Sequence, residues 1–292
     1  MKKILFTGCG VALITPFKNG KIDFAAFEKH LDRLLSAGVD ALLPCGTTGE
    51  PATLTHEEWK SVISFTVKAV NGRVPVIAGT GSNCTANAIE NAKEACGLGA
   101  DAQLVVTPFY NKTTQEGLIR HFTAIADAAP LHVVLYSVPS RTGMGIAPAT
   151  LKVLSEHENI VAFKDAGGSI VNSLESAALC GDQLTFYSGE DNIVAPLMAL
   201  GYKGVISVAA NIVPEAVVKM SHASAEEAGI IQKQLFRLNK LLFTETSPAP
   251  AKAALSMMGL IENELRLPLI PMSEANAALL RDELNHLGVL PV

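Results

Sequence analysis

The stretch NIVAFKDAGG, Asn159 to Gly168, combines a short apolar run with a lysine at its end. Residues 160–163 have the length and composition of a buried β-strand. Lys164 follows directly, at a position where an ammonium group is costly to bury, and an aspartate and two glycines come next. The side chain of this lysine therefore either reaches water or has a chemical role.

Seven further runs of this kind are spaced along the chain, and each is followed by a turn and then by a helical pattern. The eight strand candidates are GVALITPF, DALLPCG, VPVIAGTG, AQLVVTPFY, HVVLYSVP, NIVAFKDAG, LTFYSGE and GVISVAAN. Strands that are apolar along their length and alternate with amphipathic helices predict a parallel sheet covered by helices. Eight such units favour an α/β fold, the closed (β/α)8 TIM barrel.

Local signals mark where the helices begin and end. Gly38 can end the first helix, in DFAAFEKHLDRLLSAG. Three capping-box matches predict helix starts: Thr55-x-x-Glu58, Thr113-x-x-Glu116 and Ser224-x-x-Glu227. From Ser224 onward helical patterns continue to the end, interrupted only by SPAPAK and RLPLIP. We therefore expect a barrel over residues 1–223 and a C-terminal helical extension over residues 224–292, packed on the barrel and available for subunit contacts.

The main alternative fold is a doubly wound open sheet that binds a dinucleotide. Its fingerprint fails here, because GTGSNC places Cys84 where the third glycine belongs, and the chain has no P-loop motif. A formal net charge of -5 and a pI near 5.8 argue against nucleic acid as a partner.

The sequence also indicates where the protein works. No apolar run reaches the roughly 18 to 20 residues of a membrane helix, and the N-terminal apolar stretch is interpreted as the first strand rather than a signal peptide. The five cysteines show no C-x-x-C spacing. We therefore expect reduced thiols in a cytoplasmic protein, with no membrane contact and no zinc site.

In a barrel of this type the active site lies at the carboxyl ends of the strands. Polar residues follow four of the predicted strands at that end: Thr47 and Thr48 after the second, Tyr110 after the fourth, Tyr136 and Arg141 after the fifth, and Lys164 on the sixth. Taken singly, each has an ordinary structural explanation, such as a solvated lysine or a core tyrosine. Their convergence at one mouth of the barrel favours an active site.

These residue types suit the chemistry of a ketone. An apolar pocket lowers the pKa of a lysine, and the neutral amine can form a Schiff base with a carbonyl carbon. The hydroxyl of Tyr136 can carry protons for that reaction. Backbone N–H groups and the Thr47 and Thr48 hydroxyls can bind a substrate carboxylate, and Arg141 can bind a second one.

CGTTGE, TPFYNK, YSVPSRTG, the strand-end lysine of VAFKDAGG, and GVISVAAN stand in an order and spacing that resemble the dihydrodipicolinate synthase family. Together these motifs mark the class I pyruvate-aldolase superfamily, and GTTGE with the arginine of SRTG points to this family within it. The resemblance implies condensation of pyruvate with L-aspartate 4-semialdehyde, in lysine and diaminopimelate biosynthesis. It runs from about residue 6 to the C-terminus.

The resemblance also implies a role for each site residue. Lys164 matches the residue that forms the Schiff base with pyruvate, and Tyr136 matches the proton donor and acceptor. Thr47 and Tyr110 match a hydrogen-bonded relay, in which the tyrosine reaches in from a neighbouring subunit. Thr48 and Ile206 match positions that contact pyruvate, and Arg141 matches the position that binds the carboxylate of the semialdehyde. The resemblance further implies a homotetramer made of two tight dimers. It also implies that the enzyme uses no metal or organic cofactor.

The chain departs from the family's usual motifs in three places. It has Ser137 in YSVP, Asp165 and Gly167 in KDAGG, and SPAPAK in place of an N-P-I-P-V-K pattern. None of these changes removes a proposed catalytic group. They leave open a pyruvate-dependent aldolase that acts on another aldehyde or on a 2-keto-3-deoxy sugar acid. A non-catalytic sensor that binds a keto acid is the remaining alternative.

Feedback inhibition by lysine in such enzymes uses a cleft between subunits. The matching positions in this chain are Pro51, Ala52, His56, Trp59, Asn83, Asn87 and Phe109. Asn87 replaces a glutamate, Trp59 a histidine and Phe109 a tyrosine of the inhibited enzymes. We therefore expect lysine to inhibit weakly or not at all.

Overall fold

A parallel sheet of eight strands forms the centre of the protein in a computed structural model, which describes residues 2–291. The strands are β1 (Gly8–Ala12), β2 (Ala41–Leu43), β3 (Ile77–Gly79), β4 (Ala102–Val106), β5 (His132–Ser137), β6 (Ile160–Asp165), β7 (Thr185–Ser188) and β8 (Gly204–Ser207). Their order is β2-β1-β8-β7-β6-β5-β4-β3. A parallel bridge between Leu42 and Val76 joins the two ends and closes the barrel. The predicted TIM barrel and its eight strands are confirmed.

Helices cover the outside of the sheet. Those of the barrel region are α1 (Phe24–Ser36), α2 (His56–Val70), α3 (Thr85–Gly97), α4 (Gln115–Ala128), α5 (Pro139–Thr142), α6 (Pro148–Leu154), α7 (Ile170–Cys180), α8 (Val194–Ala199) and α9 (Pro214–His222). A two-stranded hairpin, Phe17–Lys18 with Lys21–Ile22, precedes α1. No helix within residues 2–291 has both the length and the apolar character needed to cross a membrane.

The strands carry apolar residues on both faces because the sheet is buried on both sides. All six residues of β6 are buried. Phe163 packs outward with the helices, whereas the next side chain, Lys164, contacts Tyr136 of β5. Inside the barrel the Phe6 and Tyr187 rings stack with their centroids 4.2 Å apart. The alternation of sides along each strand therefore places Lys164 in the interior.

Two of the three capping predictions are confirmed and one is wrong. Thr55 and Glu58 form both hydrogen bonds of a capping box, and Ser224 accepts a hydrogen bond from the backbone N–H of Glu227. The start of α4 lies one residue later than predicted, because Thr114 rather than Thr113 accepts from the N–H three residues ahead. The Gln115 side chain fixes this register, since it hydrogen-bonds to two backbone groups near residue 146.

The C-terminal extension consists of α10 (Ala225–Gln234), α11 (Phe236–Leu241), α12 (Ala249–Met257) and α13 (Glu274–His286). RLPLIP lies between helices as predicted, but the interpretation of SPAPAK as an interruption is only half right, because α12 begins inside it. Pro250 is tolerated there because the first turn of a helix leaves its N–H groups without intrahelical partners. The division of the chain after residue 223 stays a prediction.

Candidate active site

Lys164 and Tyr136 are register partners at the carboxyl ends of β6 and β5. Both side chains are buried, and the lysine Nζ lies 4.3 Å from the centroid of the tyrosine ring. The amine and the phenol ring therefore share one water-poor space at the mouth of the barrel.

The surroundings of Lys164 favour its neutral form. Burial lowers the pKa of the amine to about 8, and the positive charge of Arg141 acts in the same direction, whereas the carboxylate of Asp191 opposes the decrease. With a pKa of 8, roughly one amine in ten is neutral at pH 7, against about one in a few thousand for an ordinary lysine. This lysine is therefore a competent nucleophile near neutral pH.

The Tyr136 hydroxyl remains protonated. Burial raises the pKa of this phenol, while the charge of Arg141 and the hydroxyl of Thr47 act against the increase. A protonated phenol beside an amine nucleophile can donate a proton and take it back as the reaction proceeds.

Thr47 and Thr48 lie in a single 3-10 turn, Thr47–Gly49, that follows β2. Close backbone packing positions this turn, since a Cβ atom at Gly79 of β3 would lie 2.0 Å from the carbonyl oxygen of Cys45. The turn is also anchored on its other side, where the Thr15 hydroxyl donates to the carbonyl oxygen of Gly49 at 2.8 Å. The two threonines thus have a fixed place at the barrel mouth.

A cavity of about 800 Å³ opens at this end of the barrel. Thr47, Tyr136 and Arg141 line it, and the Nη2 of Arg141 donates to the carbonyl oxygen of Ser247 at 3.2 Å. Lys164, Thr48 and Ile206 are buried rather than part of the cavity lining. The Lys164 amine contacts the ring of Tyr136, which lines the cavity, while Ile206 lies on β8 with 1% of its surface exposed.

Tyr110 does not join the other site residues within its own chain. Its side chain is 94% exposed, and its backbone has φ 69°, in the left-handed region. The preceding residue, Phe109, is 40% exposed and lines the cavity. A single chain therefore presents Tyr110 outward, away from its own Lys164.

Asp191 belongs to the site, and the sequence interpretation missed it. This carboxylate is buried and accepts hydrogen bonds from the Ser207 hydroxyl and from the backbone N–H groups of Val208 and Ala209. Burial raises the pKa of Asp191, while those hydrogen bonds and the charge of Lys164 act to lower it. Its position just after β7 is the signal that could have identified it.

Asp165, the shorter side chain at a position where a glutamate is usual, has a full set of partners. It accepts hydrogen bonds from the Ser173 hydroxyl at 2.6 Å, the Tyr202 hydroxyl at 2.8 Å and the Gly167 N–H at 3.0 Å. The carboxylate is thus held among β6, α7 and the segment before β8, directly after Lys164.

Comparisons with known proteins find relatives that match this chain over nearly its whole length. The model of the dihydrodipicolinate synthetase family matches residues 5–287. A 4-hydroxy-tetrahydrodipicolinate synthase of Alkaliphilus oremlandii is 49% identical over 98% of this chain and 100% of its own. The protein of the same name from Thermodesulfovibrio yellowstonii is also 49% identical, over 98% of this chain and 100% of its own. The crystal structure of dihydrodipicolinate synthase from Aquifex aeolicus is 44% identical and superposes with a TM-score of 0.94, covering 97% of this chain and 99% of that one.

Proposed function

Because this chain belongs to the dihydrodipicolinate synthetase family, we propose that Lys164 is the residue through which it carries out the family's reaction. The enzyme condenses pyruvate with L-aspartate 4-semialdehyde to give 4-hydroxy-tetrahydrodipicolinate, in lysine and diaminopimelate biosynthesis. The observation that carries the assignment of Lys164 is its buried amine, held 4.3 Å from the ring of Tyr136.

The neutral amine of Lys164 attacks the ketone carbon of pyruvate, and the resulting carbinolamine loses water to form a Schiff base. The methyl carbon then loses a proton, and the enamine so formed attacks the aldehyde carbon of the semialdehyde. Finally the amino group of the bound semialdehyde attacks the Schiff-base carbon, which closes the ring and releases Lys164. Tyr136 donates and accepts the protons that these steps move, and its raised pKa keeps the phenol protonated at the start.

The remaining site residues bind and orient the two substrates. The hydroxyl of Thr48 and the apolar side chain of Ile206 contact pyruvate. Thr47 links Tyr136 to Tyr110, which comes from a neighbouring subunit. Arg141 binds the carboxylate of the semialdehyde, and its hydrogen bond to Ser247 holds the guanidinium at the cavity wall.

We propose that the chain assembles as a homotetramer built from two tight dimers, and a Tyr110 that comes from a neighbouring subunit requires at least a dimer. Support comes from two apolar surfaces, one at Phe109 and Tyr110 and the other on α7 at Ile170, Val171 and Leu174, all of which are at least 40% exposed. Apolar residues grouped in this way are typical of surfaces that contact another protein. We place the enzyme in the cytoplasm, consistent with five free cysteines.

A coupled assay tests the function directly. Purified protein is given pyruvate and L-aspartate 4-semialdehyde together with a reductase that consumes the cyclic product. We expect turnover that Lys164→Ala abolishes and that the matched surface variant Lys240→Ala retains. A panel of other aldehydes supplied with pyruvate should give much lower turnover. Faster turnover with a sugar-derived aldehyde than with the semialdehyde would contradict the substrate assignment.

A further inference from the structure

A second fully buried lysine lies outside the site described above. Lys252 of α12 forms an ion pair with Glu50, and neither side chain has any exposed surface. The Nζ of Lys252 also donates to the carbonyl oxygen of Glu264 at 2.9 Å and lies 4.0 Å from the centroid of the Phe17 ring. The amine thus has a carboxylate, a carbonyl and an aromatic face around it, and the proposed reaction uses none of them.

Glu50 connects this pair to the substrate-binding turn. It directly follows the turn Thr47–Gly49, its N–H donates to the carbonyl oxygen of Thr47 at 3.2 Å, and it lines the same cavity. Its backbone has φ 54°, a region that residues other than glycine seldom occupy. Such a conformation persists only where surrounding contacts determine it.

The C-terminal extension supplies those contacts. Besides the Lys252 amine, the backbone N–H of Arg266 donates to the other carboxylate oxygen of Glu50 at 3.4 Å. The Arg266 guanidinium pairs with Glu58 at 2.6 and 2.7 Å and donates to the carbonyl oxygen of Thr53 at 3.0 Å. The chain that follows the turn is therefore fixed from one side by residues more than 200 positions away in the sequence.

Stability alone is a weak explanation for this arrangement. Removing two charges from water is expensive, and a buried ion pair replaced by apolar groups of similar size often leaves a protein as stable as before. A specific geometry is the better explanation, because the pair joins a strained backbone position at the cavity to a helix of the extension.

We infer that Lys252 is a positioning residue for pyruvate, which acts by holding Glu50 and thereby the Thr47–Gly49 turn. The inference rests on the proposed function, in which this turn binds pyruvate. It makes the C-terminal extension a part of the active site, since the placement of Thr47 and Thr48 then depends on α12.

The test uses the double variant Glu50→Gln/Lys252→Met, which removes both charges and leaves side chains of similar volume. We expect its KM for pyruvate to rise by about tenfold or more, the cost of a misplaced hydrogen bond to a charged group, and its KM for the semialdehyde to change by less than about threefold. The matched control is Arg237→Met, which removes another charged side chain of the extension, one that pairs with Asp282 and Glu283.

Unchanged affinity for pyruvate in the folded double variant would overturn the inference, as would an equal rise of both KM values. The single variant Lys252→Met leaves the buried Glu50 carboxylate without its counter-charge, so failure of that variant to fold is explained by the charge alone. If the double variant also fails to fold, Glu50→Asp keeps the charge and shortens the side chain. A raised KM for pyruvate in that variant supports the inference, and a normal one overturns it.

Borohydride trapping of pyruvate separates this inference from the proposed function. Wild-type protein that traps no pyruvate on Lys164 would refute the function itself. If the wild-type protein traps pyruvate and the double variant needs the same pyruvate concentration for half-maximal trapping, only the role of Lys252 is refuted.

Discussion

Tyr136 and Lys164 lie opposite each other on adjacent parallel strands, with the lysine amine 4.3 Å from the centre of the tyrosine ring. The strand register sets this relationship, because both side chains point into the barrel from paired positions. The proposed nucleophile and its proposed proton donor are thus placed by the backbone rather than by a mobile loop, and the geometry exists before substrate binds.

Treatment with pyruvate and borohydride should inactivate the protein irreversibly and add one reduced pyruvyl group to Lys164. Lys252 is an internal control, because it is also buried but is paired with Glu50. Peptide mass spectrometry measures both lysines in one sample. Label on Lys252, or a loss of activity without any mass change, would contradict the assignment of Lys164.

The rate of this trapping should rise with pH, with a midpoint of about 8, because burial lowers the pKa of Lys164 to about that value and only the neutral amine attacks. Asp191→Asn removes the negative charge that opposes the decrease and should move the midpoint to lower pH. Arg141→Leu removes a positive charge and should move it to higher pH. Trapping rates measured at low pyruvate between pH 6 and about pH 10 give the midpoints. Shifts in the same direction for both variants would refute the electrostatic account.

Lys164→Met should stabilise the fold at neutral pH. The pKa of this lysine falls from 10.5 to about 8 on folding, so below pH 8 the folded chain bears the cost of holding the ammonium in a buried site. Removing that cost should raise the free energy of unfolding at pH 7 by on the order of 2 kcal/mol. The gain is smaller than the full pKa shift implies, because the variant also removes the positive charge that lies near Asp191. The advantage should shrink between about pH 8 and 10.5, where the wild-type lysine becomes neutral in both states. Denaturant titrations at pH 7 and at pH 10 measure it, and a variant less stable at pH 7 would contradict the argument.

The sequence predicted the barrel well because its signal is repeated. Eight apolar runs, each followed by a turn and a helix, are compatible with few other folds. Because the active site of such a barrel lies at the carboxyl ends of its strands, Lys164, Tyr136 and Thr47 were then predicted to lie together. The errors are local. The competition between Thr113 and Thr114 for the cap of α4 was decided by Gln115, whose partners lie about 30 residues away.

Long-range pairs escaped the sequence analysis altogether. Glu50 and Lys252 are separated by about 200 positions, and neither residue shows a periodicity that could connect them. The part of SPAPAK that carries Lys252 was interpreted as a break between helices, although α12 begins there. Asp191 resembled an ordinary turn residue, because the hydrogen bonds that mark it come from residues 207–209. Contacts of this kind depend on the closed barrel.

Mixed subunits should reveal whether Tyr110 acts across an interface. Tyr110→Phe and Lys164→Ala should each be inactive or nearly so. If the exposed Tyr110 of one chain completes the site of its neighbour, a hybrid dimer contains one site with both residues intact, and activity returns on mixing and refolding. The matched control pairs Lys164→Ala with Tyr136→Phe. Because Tyr136 contacts Lys164 within one chain, every site of that hybrid is defective and no activity should return.

Free L-lysine should inhibit this enzyme weakly or not at all. Six of the seven cleft positions line the cavity: Pro51, Ala52, His56, Trp59, Asn87 and Phe109. Asn87 provides no negative charge for the ammonium group of the ligand, which costs on the order of 2 kcal/mol, or more than tenfold in affinity.

The other polar groups of the cleft are already engaged. His56 pairs with Glu94 at 2.7 Å, the Trp59 indole N–H donates to the carbonyl oxygen of Gly79 at 2.9 Å, and the Asn83 side chain donates to the carbonyl oxygen of Phe109 at 3.2 Å. Glu90, one turn after Asn87, also lines the cavity, and it pairs with Lys93 at 2.9 Å.

Restoring the missing charge makes the argument testable in the other direction. Asn87→Glu should increase the affinity for lysine by about tenfold or more, because it gives the ammonium group a charged partner. Glu90→Gln is the control, and it should leave the weak binding unchanged because its carboxylate is occupied by Lys93. Calorimetric titration and initial rates at saturating pyruvate measure both variants.

Half-inhibition of the wild-type enzyme below about 1 mM lysine, equivalent to a binding free energy near −4 kcal/mol, would show that the cleft does not need a charge at position 87. Loss of binding in Glu90→Gln would instead identify Glu90 as the partner of the ammonium group.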